Sequence, residues 1–179
     1  VLYFGHNAAT KDELSNWIHA GDWSKLFRKL PVKAGDFFYV PSGTVHALGK
    51  GIMVLETQQS SDSTYRLYDF DRIDAKTHKK RELHIDKSID TITVPHHDPQ
   101  LSIKSQNREN CHITTFIKSP YFSVYQWKIN GKSAQFYQNS CDFTLASVIS
   151  GTGSLLINDE SFPIDKGDHF ILPSTVQTW

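Results

Sequence analysis

Apolar positions along this chain follow two periods. Near its start Leu14, Trp17 and Ile18 recur at helical spacing behind Thr10-Lys11-Asp12-Glu13, which has the form of a capping box, and Gly21-Asp22 ends the pattern. Trp23, Leu26, Phe27 and Leu30 predict a second short helix over about 22–29, and 83–89 a third. Elsewhere runs of aromatic and β-branched residues bounded by Gly, Pro, Asn and Asp predict strands at 1–4, 32–39, 52–58 and 64–70. The charged run 71–82 reads as solvated connection, and 95–110, polar and proline-containing, as an interdomain linker. Beyond it short strands follow at close spacing, 114–117, 122–129, 143–149, 154–157 and 169–172, separated by Asn130-Gly131, Gly151-Thr152-Gly153 and Asn158-Asp159. Many short strands with regular turns argue for an antiparallel sandwich or barrel.

The chemistry concentrates in one stretch, residues 34–47. Gly35-Asp36 makes a turn into an apolar strand, Pro41-Ser42-Gly43 a bend out of it, and His46 should then begin a neighbouring strand. An imidazole held there suits a metal at a barrel mouth. Along 52–58 the residues Ile52, Val54, Glu56 and Gln58 share one face, which places a carboxylate among apolar neighbours, and Arg66 lies in the next strand. Gly35-Asp36-x-Phe38-x-Val40-Pro41-Ser42 reappears as Gly167-Asp168-x-Phe170-x-Leu172-Pro173-Ser174, with Thr178 where the first copy has His46. Two related barrels are expected, the first equipped for a metal and the second not.

Each assignment has a plainer reading. By composition alone a histidine after a strand is a structural or surface residue, an arginine on a strand is the partner of a carboxylate such as Asp62, Asp69 or Asp71, and Glu56 pairs with Arg66. His96-His97 beside Asp98 reads as a solvated pair, His84 and His112 show no ligand spacing, and His169 as a packing residue.

Composition narrows the partners. The chain has 179 residues, 39% of them hydrophobic, enough for one large or two small domains. Lys plus Arg and Asp plus Glu number 19 each, so no global field steers nucleic acid or a membrane surface. Cys111 and Cys141 form no Cys-x-x-Cys and read as free thiols, which implies a reducing, cytoplasmic setting. No apolar run reaches the about 18 residues of a membrane span. The chain opens at Val1-Leu2-Tyr3-Phe4 without an initiator Met and stops after a strand and bend, so sheet elements are expected to be missing at both ends.

Gly35-(five residues)-Pro41-x-Gly43-x-x-His46 resembles the second cupin motif, and 55–66, Leu-Glu-Thr-Gln-Gln-Ser-Ser-Asp-Ser-Thr-Tyr-Arg, is similar to the active-site segment of type I mannose-6-phosphate isomerases. The likeness to the short bacterial branch of that family extends to Arg81-Glu82-Leu83-His84 and to Lys166-Gly167-Asp168-His169-Phe170-Ile171-Leu172-Pro173. It implies a mainly β fold of two cupin-type antiparallel jelly rolls with a few short helices. Residues 1–95 would form part of the first, catalytic barrel with a helical insertion, 96–110 a linker, and 111–179 a second, metal-free and truncated barrel.

The resemblance further implies an aldose-ketose isomerase that interconverts mannose 6-phosphate and fructose 6-phosphate through a zinc-stabilised enediolate. His46 takes the place of the last zinc ligand, Arg66 that of the catalytic arginine, and Glu56 that of a proton-handling carboxylate. The family's other zinc ligands fall upstream of Val1, so this chain alone is expected to be inactive, since a catalytic zinc takes about three protein ligands. The partner is a small sugar phosphate, with no nucleic acid, no membrane and no oligomeric state indicated. Other classes are a non-catalytic cupin serving as a sugar-binding or regulatory module, and an iron oxygenase, which would need further histidines.

Overall fold

The computed structural model describes residues 1–61, 63–138 and 143–179, so that Asp62 and Cys141 lie outside the described residues. The fold is mainly β with a few short helices, and the chain divides into two compact units: Val1–Ile103 with Phe116–Val124, and Lys104–Thr115 with Tyr125–Trp179.

The first unit comprises β1 (Leu2–His6), α1 (Lys11–Ala20), α2 (Trp23–Leu26), β2 (Phe27–Leu30), β3 (His46–Leu48) and α3 (Ile85–Thr91). Thr10 caps α1, its hydroxyl accepting the Glu13 N–H at 3.1 Å, while the Glu13 carboxylate reaches back to the Ala9 N–H at 2.8 Å. Gly21 closes the helix in the left-handed region at φ 71°. The inward face, Leu14 and Ile18, packs with Ala8, Leu26, Phe27, Leu67 and Ile92. β1 is the middle strand of an antiparallel sheet of order β2-β1-β3.

The helix expected over 22–29 is a single turn. From Phe27 the chain enters β2, with Leu30 opposite Leu2 and Lys29 opposite Tyr3, and the ladder overrides a helical spacing that a strand also satisfies. The strands expected at 32–39, 52–58 and 64–70 do not form. A strand needs a neighbour to bond to, and among the described residues none flanks these segments. In the first, Phe37 instead stacks on Phe116 with ring centres 4.7 Å apart. The second stands in solvent, Met53 being 97% exposed. The third keeps the anticipated alternation, Leu67 and Asp69 turned inward, without a ladder.

The second unit holds β4 (Lys104–Arg108), most of β5 (Cys111–Lys118) and β6 (Ser123–Ile129), and all of β7 (Phe143–Ser147), β8 (Thr152–Ile157), β9 (Glu160–Asp165) and β10 (His169–Pro173). The sheet orders are β4-β5-β6, β10-β7 and β8-β9. β4 falls inside the segment read as a linker: its five residues are all exposed, so apolar periodicity had nothing to register. β9, also unanticipated, carries Pro163 and pairs with β8 across Asn158-Asp159, both at positive φ as a two-residue hairpin requires. Cys111, Ile113 and Phe136 form the core with Trp127 and Trp179, whose rings flank Phe136.

The internal echo is reproduced as local geometry. In the first copy the Asp36 carboxylate accepts the Lys33 N–H at 2.9 Å, and the Pro41 carbonyl accepts the Thr44 N–H at 3.1 Å. In the second the Asp168 carboxylate accepts the Asp165 N–H at 2.7 Å, and the Pro173 carbonyl accepts the Val176 N–H at 2.9 Å. Gly35 and Gly167 both sit at positive φ, 93° and 104°.

Leu14 is fully buried at the centre of the first unit. Leu14→Ala is expected to lower folding stability by about 2–5 kcal/mol, read by denaturant unfolding, whereas Ser15→Ala on the same helix should change it little.

Candidate active site

His46 opens β3 opposite Phe4 of β1, where the bend was expected to deliver it. Two hydrogen bonds set the bend: the Gly5 N–H donates to the Val45 carbonyl at 2.7 Å, and the Thr93 N–H to the Gly43 carbonyl at 3.0 Å. Gly43 has φ 81°, and a Cβ there would stand 2.6 Å from the Thr93 hydroxyl, so the close approach requires glycine. The His46 ring is exposed, and its Nδ1–H donates to the Thr44 carbonyl at 3.0 Å. In the neutral ring that bond places the proton on Nδ1 and the lone pair on Nε2, the arrangement in which an imidazole serves as a metal ligand.

Behind β1 lies a polar network that the sequence reading missed, buried at His96 and His6 and open to solvent at Asp98. His96, whose side chain is only 4% exposed, bonds through Nε2 to Asp98 at 3.0 Å, and Asp98 takes both guanidinium nitrogens of Arg28 at 2.8 and 2.9 Å. The His96 ring stands edge-on to Phe4 and occupies the space of a Gly5 side chain, a Cβ there falling 2.3 Å from it. His6, also buried, donates its Nε2–H to the Thr93 carbonyl at 3.0 Å. His96 is therefore not a solvated residue, and its proximity to Asp98 in the chain was the one available signal.

Arg66 is half-buried. Its guanidinium donates to the Glu82 carbonyl at 3.0 Å. Of the carboxylates that a plainer reading would give it, Asp62 lies outside the described residues and the other two are taken: Asp69 accepts from Arg81 and Arg72, and Asp71 from Lys80 and the Tyr68 hydroxyl. Arg81, then Arg72, hold the Asp69 carboxyl far below the usual carboxylate range. Arg28, Arg72 and Arg81 thus each face an acidic partner, while Arg66 meets only a neutral carbonyl and, among the described residues, has no carboxylate partner. Glu56 is exposed and, among the described residues, makes no hydrogen bond or ion pair, including to Arg66.

The metal expectation meets a limit. No group of three or more His, Cys, Asp or Glu side chains able to hold an ion occurs among the described residues, so the donors here do not enclose a zinc; His46 offers one nitrogen.

Comparison with known proteins gives the family. The chain is 49% identical over 180 residues to the mannose-6-phosphate isomerase of Streptococcus mutans, covering 99% of this chain and 55% of that protein. The chain belongs to the mannose-6-phosphate isomerase family. The family model for the mannose-6-phosphate isomerase cupin domain matches residues 112–179. Mannose-6-phosphate isomerase ManA of Bacillus subtilis is 49% identical over 96% of this chain. A crystal structure of the mannose 6-phosphate isomerase from Bacillus subtilis superposes with a TM-score of 0.93 at 47% identity, over 99% of this chain and 55% of that one. The chain spans about half the length of the curated relatives it matches.

This network makes stability depend on acid. Burial first, then the nearby His96 and Arg28 charges, lower the His6 pKa from 6.5, with the Thr93 bond opposing. The unfolded chain therefore takes up that proton more readily, and stability is complete above pH 6.5 and falls as pH drops below it. Arg28 chiefly lowers the Asp98 pKa from 3.8 to about 2, so a second contribution present above 3.8 is lost toward pH 2. Thermal unfolding across pH should show both losses, and His6→Gln, which keeps a donor for Thr93, should remove only the first.

Proposed function

We propose that this chain carries part of the active site of an isomerase that interconverts mannose 6-phosphate and fructose 6-phosphate, with Arg66 as its electrostatic centre. The observation that carries the reading is a guanidinium with no acid beside it among the described residues: the other arginines of the unit, Arg28, Arg72 and Arg81, each meet a carboxylate, while Arg66 is fixed by a neutral carbonyl. Similarity to relatives named as mannose-6-phosphate isomerases supports the substrate class.

The reaction moves a proton between C1 and C2 of the sugar, and negative charge develops on the neighbouring oxygens. A guanidinium does not lose its proton at any working pH, so Arg66 offers that charge a permanent counterpart already in place. Glu56, without a polar partner among the described residues, is the carboxylate proposed to take the proton from one carbon and return it to the other. His46 is proposed as one donor to zinc through Nε2, the remaining donors coming from outside this sequence. A bound zinc supplies Lewis-acid stabilisation of oxyanions. The two units are proposed as cupin-type barrels of which only the first, with His46, takes part in the chemistry. The reading includes a cytoplasmic setting: Cys111 is a buried free thiol, and among the described residues no helix is long and apolar enough to cross a membrane. A non-catalytic sugar-binding role is not favoured, given the named activity of the relatives.

In the whole protein that carries this sequence, Arg66→Ala is expected to lower kcat by about 10²–10³-fold, the loss typical of one oriented charge-stabilising group, with the fold retained by circular dichroism. His46→Ala should lower bound zinc in elemental analysis. Undiminished turnover in Arg66→Ala would overturn the assignment.

A further inference from the structure

Arg66 is held by a single short segment, 82–84, through three hydrogen bonds. The His84 main-chain N–H donates to the Arg66 carbonyl at 2.7 Å, the Arg66 main-chain N–H donates to His84 Nδ1 at 3.0 Å, and the guanidinium donates to the Glu82 carbonyl at 3.0 Å. A ring nitrogen that accepts an N–H carries no proton, so His84 is protonated on Nε2 alone. Because 64–70 has no ladder, these bonds replace the strand pairing that would otherwise orient residue 66.

The imidazole is itself anchored. The His84 carbonyl accepts the Ser88 N–H at 2.8 Å, which ties it to the first turn of α3, and Ile85 and Ile89 of that helix pack on the core. Around the ring stand the Tyr65 ring, edge-on at 6.2 Å, and Arg66 itself; the Lys87 ammonium lies 5.9 Å over the Tyr65 ring, and Asp86 occupies the first turn of the helix.

We propose that His84 is a positioning residue for Arg66: its neutral imidazole, by accepting the Arg66 amide, sets the backbone from which the guanidinium reaches the reacting sugar. The proposal rests on the reading of Arg66 given above.

The test compares two variants in the whole protein. His84→Leu removes the acceptor; His84→Asn places an amide oxygen near where Nδ1 stands and cannot be protonated on acidification. His84→Leu is expected to lower kcat by about ten- to a hundredfold, the scale of a misplaced catalytic group, with KM for the sugar phosphate changed less. His84→Asn should restore most of that loss. Equal losses in both variants, or full activity in both, would overturn the proposal. The Asn comparison stands even if His84→Leu fails to fold. Arg66→Ala with undiminished turnover would instead overturn the reading of Arg66, a result that these variants cannot imitate.

Discussion

The contact of the His96 ring with the bare backbone of Gly5 is the constraint on which the site in the first unit depends. β1 is the middle strand, and at Gly5 it donates to the Val45 carbonyl just before His46 while its other side is closed by an imidazole that tolerates no Cβ. One hydrogen bond contributes about 1 kcal/mol net, too little alone to hold a loop. Here the bonds are in series. Thr93 links His6 on β1 to Gly43 in the bend, Asp98 links His96 to Arg28 on β2, and the same short segment therefore ties the bend to the sheet from two directions. The position of His46 is set by residues about fifty places further along the chain as much as by its own turn.

Electrostatics in this unit then follow from pairing. Asp69 draws two guanidiniums, Asp71 a lysine and a phenol, and Asp98 the guanidinium of Arg28. These pairs are partly exposed and contribute modestly to stability, since screening and side-chain entropy offset most of the attraction. Their larger consequence is subtractive. By occupying Asp69, Asp71 and Asp98 they leave Arg66 as the arginine of this unit with no carboxylate partner among the described residues, and a guanidinium held by a carbonyl has direction without neutralisation.

The sequence disclosed this arrangement unevenly. The capping box at Thr10, the Gly21 stop, the bend before His46 and the repeated Gly-Asp turn were legible because each rests on residues within about four positions of one another, where local stereochemistry decides. What stayed hidden depends on distant partners. Nothing local distinguishes a buried His96 from a solvated one, and His84 acts through a ring nitrogen on a backbone N–H eighteen positions away, a role with no characteristic spacing. The alternation at 52–58 describes a face that a sheet could bury, and alternation alone does not supply the neighbouring strand. Glu56 on that segment was identified by motif, and its freedom from partners is a property only coordinates reveal.

The two copies of the Gly-Asp turn separate scaffold from chemistry. Both have a glycine at positive φ, an aspartate closing the turn onto the residue three before it, and a proline carbonyl accepting an N–H three residues on. The first copy leads to His46, paired beside Phe4, and the second to Thr178, bridged to Tyr137. The same turn thus leads to an imidazole in one case and a hydroxyl in the other at the start of a paired segment, although only the second copy runs through a strand, β10. The turn is the part that must be kept for the backbone to close. The residue it presents is free to differ, and an imidazole offers a nitrogen donor where a neutral hydroxyl offers a weak one, so the metal role proposed for His46 rests on the residue at that one position rather than on the turn that bears it.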